Sequence, residues 1–346
     1  MRILSGVSDF FGLDIGTSAL RAVQLKGTGT SRALVSYGQL RASGTTTVSD
    51  SPTDRQATAQ LVKELIKQTG IGTKNVAVNI PSQRVFTTIV DMDRLSPADL
   101  AKTIRYQAES FIPTPLAESK IDWSIIGDSP KDPKKIEVLL SSAPNSFVEA
   151  RLDMLESIGL NVIAIEPDSL AITRSMAATG AEGPQMILDV GNSYADLVIV
   201  ISGVPRLTRA IAHGSQSLIR AVSQNLSIDT KEASQFVFKF GLGKDKLEGK
   251  IYNAIINTVE NLMGEIDKSI KFFESRYSNQ RLERIIVTGG ASTLPEFPLF
   301  LANRFSINVE IGNAWRNIST PPSKQNELMA VANHFAVAAG LAERDV

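Results

Sequence analysis

Two short runs carry residue types suited to handling a phosphate and a metal. One is Asp14-Ile15-Gly16-Thr17-Ser18, the other Asp189-Val190-Gly191-Asn192-Ser193. Each offers a carboxylate, then a glycine without a Cβ, then two small hydrogen-bonding side chains. The glycine lets backbone come close to a ligand. Successive N–H groups in a turn form a nest for an anion. Asp14 and Asp189, facing each other across a cleft, would suit Mg²⁺ and the waters it retains. A single Asp-x-Gly-Thr run means little, because ordinary β-turns use the same residues. Two copies in register mean more.

Apolar runs flank both turns. Phe11 to Ile15 and Ala19 to Leu25 read as strands, followed by the turn Lys26-Gly27-Thr28-Gly29. Leu188 to Val190 and Ala195 to Val200 read the same way, followed by Ser202-Gly203-Val204-Pro205. The copies align without a gap, Asp14 on Asp189 and Gly16 on Gly191. A duplicated α/β chain is expected, with one hairpin opening each half.

With 346 residues, two domains are the natural expectation. Lysine plus arginine and aspartate plus glutamate balance at 36 each, so charge gives no reason to expect nucleic acid or anionic lipid as the main partner. The absence of cysteine excludes disulfides and thiolate metal sites and fits a reducing cytosol. His213 and His334 are the only histidines, too few for a histidine-rich metal site. No apolar run reaches the ~18 residues of a membrane span, and the N-terminus shows no signal-peptide pattern.

The rest of the chain divides around the hairpins. Residues 1–82 read as the first part of one half. After a polar loop, Leu61, Val62, Leu65 and Ile66 stripe a helix ended by Gly70, and Val76 to Ile80 form a strand stopped by Pro81. Residues 83–161 read as an inserted β-α-β-β-α unit. Its first helix opens at Ser96-Pro97 and ends at Pro113 and Pro115; Asn145 is expected to cap the second, closed by Gly159. Residues 162–184 are a strand running into a connecting helix that carries Ala171, Ala177 and Ala178. Residues 185–327 form the second half. Asp229-Thr230-Lys231-Glu232 is a capping box there, and a long helix carries Glu265, Lys268 and Ser269 on one face. Residues 328–346 read as a second small-residue helix, from Leu328 to Arg344.

The paired hairpins resemble the two phosphate motifs of the actin-like ATPase superfamily, which includes actin, sugar kinases and heat-shock chaperone ATPases. The opening Phe11-Gly12-Leu13-Asp14-Ile15-Gly16-Thr17-Ser18 is more closely similar to the PilM family of type IV pilus assembly proteins, as is Gln107-Ala108-Glu109-Ser110-Phe111-Ile112-Pro113 with Asp122-Trp123. An insertion in the first half is shared with FtsA and PilM, not with actin or the chaperones. The resemblance implies an actin-like, ribonuclease H-like duplicated fold that binds ATP and Mg²⁺. Gly16, Thr17, Ser18, Gly191, Asn192 and Ser193 would meet phosphates, and Asp14 and Asp189 metal-bound waters. Gly289, Gly290 and Ala291, after the strand Arg284 to Thr288, would flank adenosine, with Glu265 and Lys268 beside it. Glu166 takes the place where the chaperones put a carboxylate near the attacking water. Asp168 is the alternative.

The same resemblance implies a cytoplasmic protein held at the inner membrane by a partner. That partner would be the cytoplasmic N-terminal peptide of PilN, bound beside Phe111 to Pro115, with the pilus platform and its motor ATPases beyond. Homo-oligomers are possible in such a family. A scaffold of this kind needs nucleotide occupancy more than turnover, so slow hydrolysis is expected. Two other readings exist within the superfamily: an FtsA-like filament-forming division protein and a small-molecule kinase. The first lacks an amphipathic C-terminal anchor here. The second is ordinarily a longer chain with larger insertions.

Overall fold

The computed structural model describes residues 9–42, 46–177, 180 and 182–345. The first half opens with β1 (Phe11–Ile15), β2 (Ala19–Lys26) and β3 (Ala33–Arg41), then α1 (Pro52–Thr69) and β4 (Asn75–Ile80). α1 starts where Ser51 accepts a hydrogen bond from the Asp54 N–H, with Pro52 in the first turn, and ends at Gly70 in the left-handed region. The inserted unit follows as β5 (Phe86–Asp93), α2 (Pro97–Phe111), β6 (Ser119–Asp128) and β7 (Lys135–Pro144). The chain returns through α3 (Asn145–Glu156), β8 (Asn161–Pro167) and α4 (Asp168–Met176).

The second half repeats the opening with β9 (Gln185–Val190), β10 (Ala195–Ile201) and β11 (Val204–Ile211). Then come α5 (Ser215–Leu226), α6 (Thr230–Phe240), α7 (Lys250–Arg276), β12 (Arg284–Thr288), α8 (Phe297–Phe305), β13 (Asn308–Ile311), α9 (Gln325–Val331) and α10 (Ala336–Ala342). The two large sheets have matching orders, β3-β2-β1-β4-β8 and β11-β10-β9-β12-β13, and the inserted sheet is β5-β7-β6. In each large sheet an antiparallel hairpin joins parallel strands. The duplication expected from the two hairpins thus extends through both sheets.

Both faces of each large sheet are covered, which is why β1, β4 and β9 read as nearly continuous apolar runs. A central layer of Ile163, Ile172, Ile187, Ile286, Phe335 and Leu341 fills the space between the sheets, around α4 and α10. Small residues permit that layer. A Cβ on Gly340 would lie 1.9 Å from the Ala171 carbonyl oxygen, and one on Gly12 would lie 2.3 Å from that of Ala338. Ala178, which the sequence places in the same small-residue stripe, lies outside the described residues.

Two elements differ from their sequence reading. α3 falls within the stretch assigned to the inserted unit, yet its Phe147, Val148, Met154 and Leu155 pack into the core of the first half. Pro144 stands at its N-cap position, and Asn145 instead donates to the Ala117 carbonyl at 2.9 Å. The expected single helix from Leu328 to Arg344 is broken by a 3₁₀ turn over Ala332–His334. That break frees Asn333 for contacts that a helical carbonyl could not make.

Candidate functional site

A cleft of about 800 Å³ lies between the halves. Its walls come from the two hairpin turns, the end of β4, the start of α4, helices α5 and α6, and the Gly289-Gly290 loop. The turns are built alike. The Gly16 N–H donates to the Ala19 carbonyl at 3.1 Å, and the Gly191 N–H to the Tyr194 carbonyl at 2.9 Å. Thr17, Ser18, Asn192 and Ser193 therefore all line the same space. Helix α5 docks its first turn on the second hairpin, with the Ser215 N–H on the Gly191 carbonyl and the Gln216 N–H on that of Asn192. The positive end of α5 joins the cleft wall at Ser215, a position favourable to an anion.

Four carboxylates share the cleft: Asp14, Asp168, Asp189 and Asp196. Asn79 at the end of β4 organises two of them. Its carbonyl oxygen accepts the Ile15 N–H at 2.8 Å, and its amide donates to Asp168 at 2.8 Å and to Asp14 at 3.3 Å. Asp14 also meets Arg21 at 3.3 Å, its register partner across β1 and β2. Asp196 is the register partner of Asp189 across β9 and β10.

Burial and crowding favour protonation of these acids. Burial pushes Asp189 up to about 7, helped by the charges of Asp196 and Asp14 and opposed by Arg21. Burial also pushes Asp196 to about 7, against the Ser82 hydroxyl. Asp168 is raised well above the ordinary range by burial and by Asp196, Asp14 and Asp189, although Asn79 holds it down. Asp14 rises through burial in spite of Arg21.

Asp196 Oδ1 is buried without a hydrogen-bond partner, and so is Arg21 Nε. One acceptor and one donor are thus left unsatisfied at a polar cleft. Among the described residues no three acidic or histidine side chains close into a metal cage. The carboxylates that line the cleft fit Mg²⁺, which keeps several waters and takes few direct protein ligands.

The Gly289-Gly290 loop forms the wall beside β9. Gly289 has a φ of 81°, and a Cβ there would lie 2.2 Å from Asp189 Oδ1. Asn333 fixes the loop: its carbonyl accepts the Gly289 N–H at 2.8 Å and the Thr288 hydroxyl at 2.7 Å, and its amide donates to the Gly289 carbonyl and to Ser292. Phe238 and Ile219 add apolar surface to the cleft, and Phe238 is 40% exposed. Neither they nor Asn79, Asn333, Arg21 and Asp196 are singled out by the sequence reading. Arg21 and Asp196 had a signal in the gapless hairpin alignment, which sets one on the other.

Several expected site residues lie elsewhere. Glu166 does not reach the cleft. It is buried in a bidentate pair with Arg174, at 2.7 and 3.1 Å, and pairs also with Arg344. Burial alone would raise it, but the two guanidiniums hold it below the ordinary carboxylate range. Glu166 lies in β8, ahead of the strand–helix boundary, and its side chain points away from the site. Asp168, the first residue of α4, lines the cleft in its place. Glu265 and Lys268 pair with each other at 2.6 Å and Glu265 with Arg209, outside the cleft lining. Ala291 is buried in the core of the second half, beneath the loop and not on its surface.

Two matching half-domains, hairpin turns facing one cleft and a glycine loop closing it define a protein of the actin-like ATPase fold. The match to a family model, type IV pilus assembly protein PilM, spans residues 12–346. The chain belongs to that family. Among solved structures, a PilM–PilN type IV pilus biogenesis complex is similar, with a TM-score of 0.84 at 22% identity over 98% of this chain and 99% of that one. The ethanolamine utilization protein EutJ from Carboxydothermus hydrogenoformans is similar at 0.59 and 14% identity, over 99% and 92% of the two chains. MreB 5 of Spiroplasma citri bound to AMPPNP is similar at 0.56 and 12% identity, over 97% and 95%.

Proposed function

We propose that this type IV pilus assembly protein binds ATP with Mg²⁺ in the cleft and binds the cytoplasmic N-terminal peptide of PilN at its inserted unit. One observation supports the nucleotide reading above the others. Both Asp-x-Gly turns, the start of α5 and the Gly289-Gly290 loop face a single cleft of about 800 Å³, a size suited to a nucleotide. Thr17, Ser18, Asn192 and Ser193 are placed to hold phosphates. Arg21 adds the cation at the first turn. Phe238 and Ile219 offer apolar surface to a base in the cleft that Gly289 and Gly290 also line. Asp14 and Asp189 would hold the waters of Mg²⁺, whose charge neutralises phosphate and offsets repulsion among the four acids.

Asp168 is the carboxylate suited to accept a proton from a water, since it faces the cleft and has a raised affinity for protons. Asn79 holds its orientation. Slow hydrolysis fits a protein that assembles by being occupied.

The partner reading rests on the family, on the similar PilM–PilN complex and on a small apolar groove. Ile80, Val85, Ile121, Ala143, Val148, Ile165 and Pro167 line it, at the junction of β5, β6 and β7 with the first half. Among the described residues no helix is long and apolar enough to cross a membrane. Attachment to the inner membrane would then pass through PilN, and the motor ATPases would be reached from the cytoplasmic side.

A labelled PilN N-terminal peptide tests the partner reading. Val85→Glu and Ile121→Glu should each weaken peptide binding about tenfold or more, as losses at apolar anchors do, with ATP binding retained. Unchanged peptide affinity in both folded variants would rule this groove out.

A further inference from the structure

The inserted unit is joined covalently only to the first half, yet it is clamped to the second by a buried polar junction. Glu137 on β7 is fully buried. Its carboxylate accepts from Arg206 of β11 at 2.6 Å, from Arg276 of α7 at 2.9 Å and from the Tyr277 hydroxyl at 2.7 Å. Asp91 on β5 is the register partner of Glu137 and takes Arg276 at 2.8 Å. Gly127 of β6, with a φ of 144°, lets Arg206 approach the sheet, and a Cβ there would lie 3.0 Å from Nη2. All the acids stand on the inserted unit, and all the cations and the phenol stand on the second half.

This junction closes a ring. The halves meet at α4 and α10 behind the cleft, and again through the inserted unit. A change in the angle between the halves must therefore move the junction, bend the inserted unit or break the pairs. The path from the cleft is short. Asn79 holds Asp14 and Asp168, Pro81 and Gln83 line the cleft, and β5 then runs to Asp91. β7 carries Glu137 and, a few residues on, the groove-lining Ser141, Ser142 and Ala143.

We propose that the Glu137–Arg206–Arg276–Asp91 junction is a latch that reports occupancy of the cleft to the inserted unit. Closure around a nucleoside triphosphate sets the latch and orders β5, β6 and β7; an empty cleft loosens it. The inference rests on the nucleotide reading above. Breaking a buried pair on one side only leaves an uncompensated charge, so the states on and off are well separated. Coupling of two sites through one bistable contact is reciprocal, so a ligand on the inserted unit would also favour the closed cleft.

Backbone hydrogen exchange of the full chain, with and without ATP–Mg²⁺, tests this, with ATP binding measured in parallel by calorimetry. In the parent protein, nucleotide should slow exchange in residues 119–144 by about tenfold. Glu137→Gln, which keeps shape and the tyrosine contact, and Asp91→Asn, at the half-exposed rim, should each reduce that protection to about twofold or less while still binding ATP. If ATP binds and exchange in the inserted unit does not change, or both variants keep the full response, the latch is overturned alone. If ATP does not bind the parent protein, the nucleotide reading falls and the latch with it.

Discussion

Arg21 and Asp196 occupy equivalent positions in the two hairpins, one facing Asp14 and the other facing Asp189. The first turn is thus partly neutralised and the second carries a pair of acids. Of the two residues, Arg21 supplies a cation at the first turn, on the cleft wall, and is placed to meet a phosphate. Replacing it with alanine removes a charge-assisted hydrogen bond of about 1.5–3 kcal/mol. Calorimetry should show ATP affinity reduced roughly ten- to a hundredfold, with little change in fold.

The paired acids give a pH dependence with a definite sign. Asp189 and Asp196 are raised from 3.8 to about 7 in the folded protein. Groups raised in this way favour folding below their ordinary pKa, and that contribution is lost as pH rises through the folded value. Stability without ligand should therefore fall between about pH 4 and pH 8. Mg²⁺ with ATP should restore more of it at pH 8 than at pH 6. Denaturant midpoints across this range check both statements, and Asp196→Asn should flatten the slope.

Asp168 and Glu166 should separate chemistry from architecture. Asp168→Asn should abolish whatever slow hydrolysis the protein has, with ATP still bound. Glu166→Gln should leave Arg174 and Arg344 poorly compensated and lower stability by several kcal/mol, about 3–5 being typical when one partner of a buried pair is lost. Single-turnover assays and urea unfolding distinguish the two outcomes.

The close crossing of α4 and α10 should tolerate no added volume. The nearest neighbour of a new Cβ at Gly340 is backbone, the Ala171 carbonyl oxygen at 1.9 Å, so no side chain can swing aside. Gly340→Ala should cost about 1–3 kcal/mol in chemical denaturation.

The fold was legible because it is duplicated. One Asp-x-Gly hairpin is ambiguous, but two in register predict two matching sheets, and those are present. That both turns face one cleft was legible for the same reason. Glu166 was misplaced because the strand ends at Pro167 and α4 begins at Asp168, so the change of backbone direction there puts Asp168 on the cleft and leaves Glu166 in a buried salt bridge. Glu265 and Lys268 share a helix face, but the sequence does not show which way α7 turns that face. Asn333 was invisible because alanine-rich sequence predicts an unbroken helix, and tertiary contacts with the Gly289 loop break it. Phe238 and Ile219 reach the cleft only through the packing of α5 and α6.

The most direct measurement is titration calorimetry of ATP against the whole chain, with and without Mg²⁺, in the parent protein and in an Asp14→Asn, Asp189→Asn double variant. The expected result is binding that strengthens markedly with Mg²⁺ in the parent and loses most of that dependence in the double variant. No binding at millimolar ATP–Mg²⁺, or a Mg²⁺ dependence that survives in the double variant, would contradict a nucleotide held with its metal between these two aspartates.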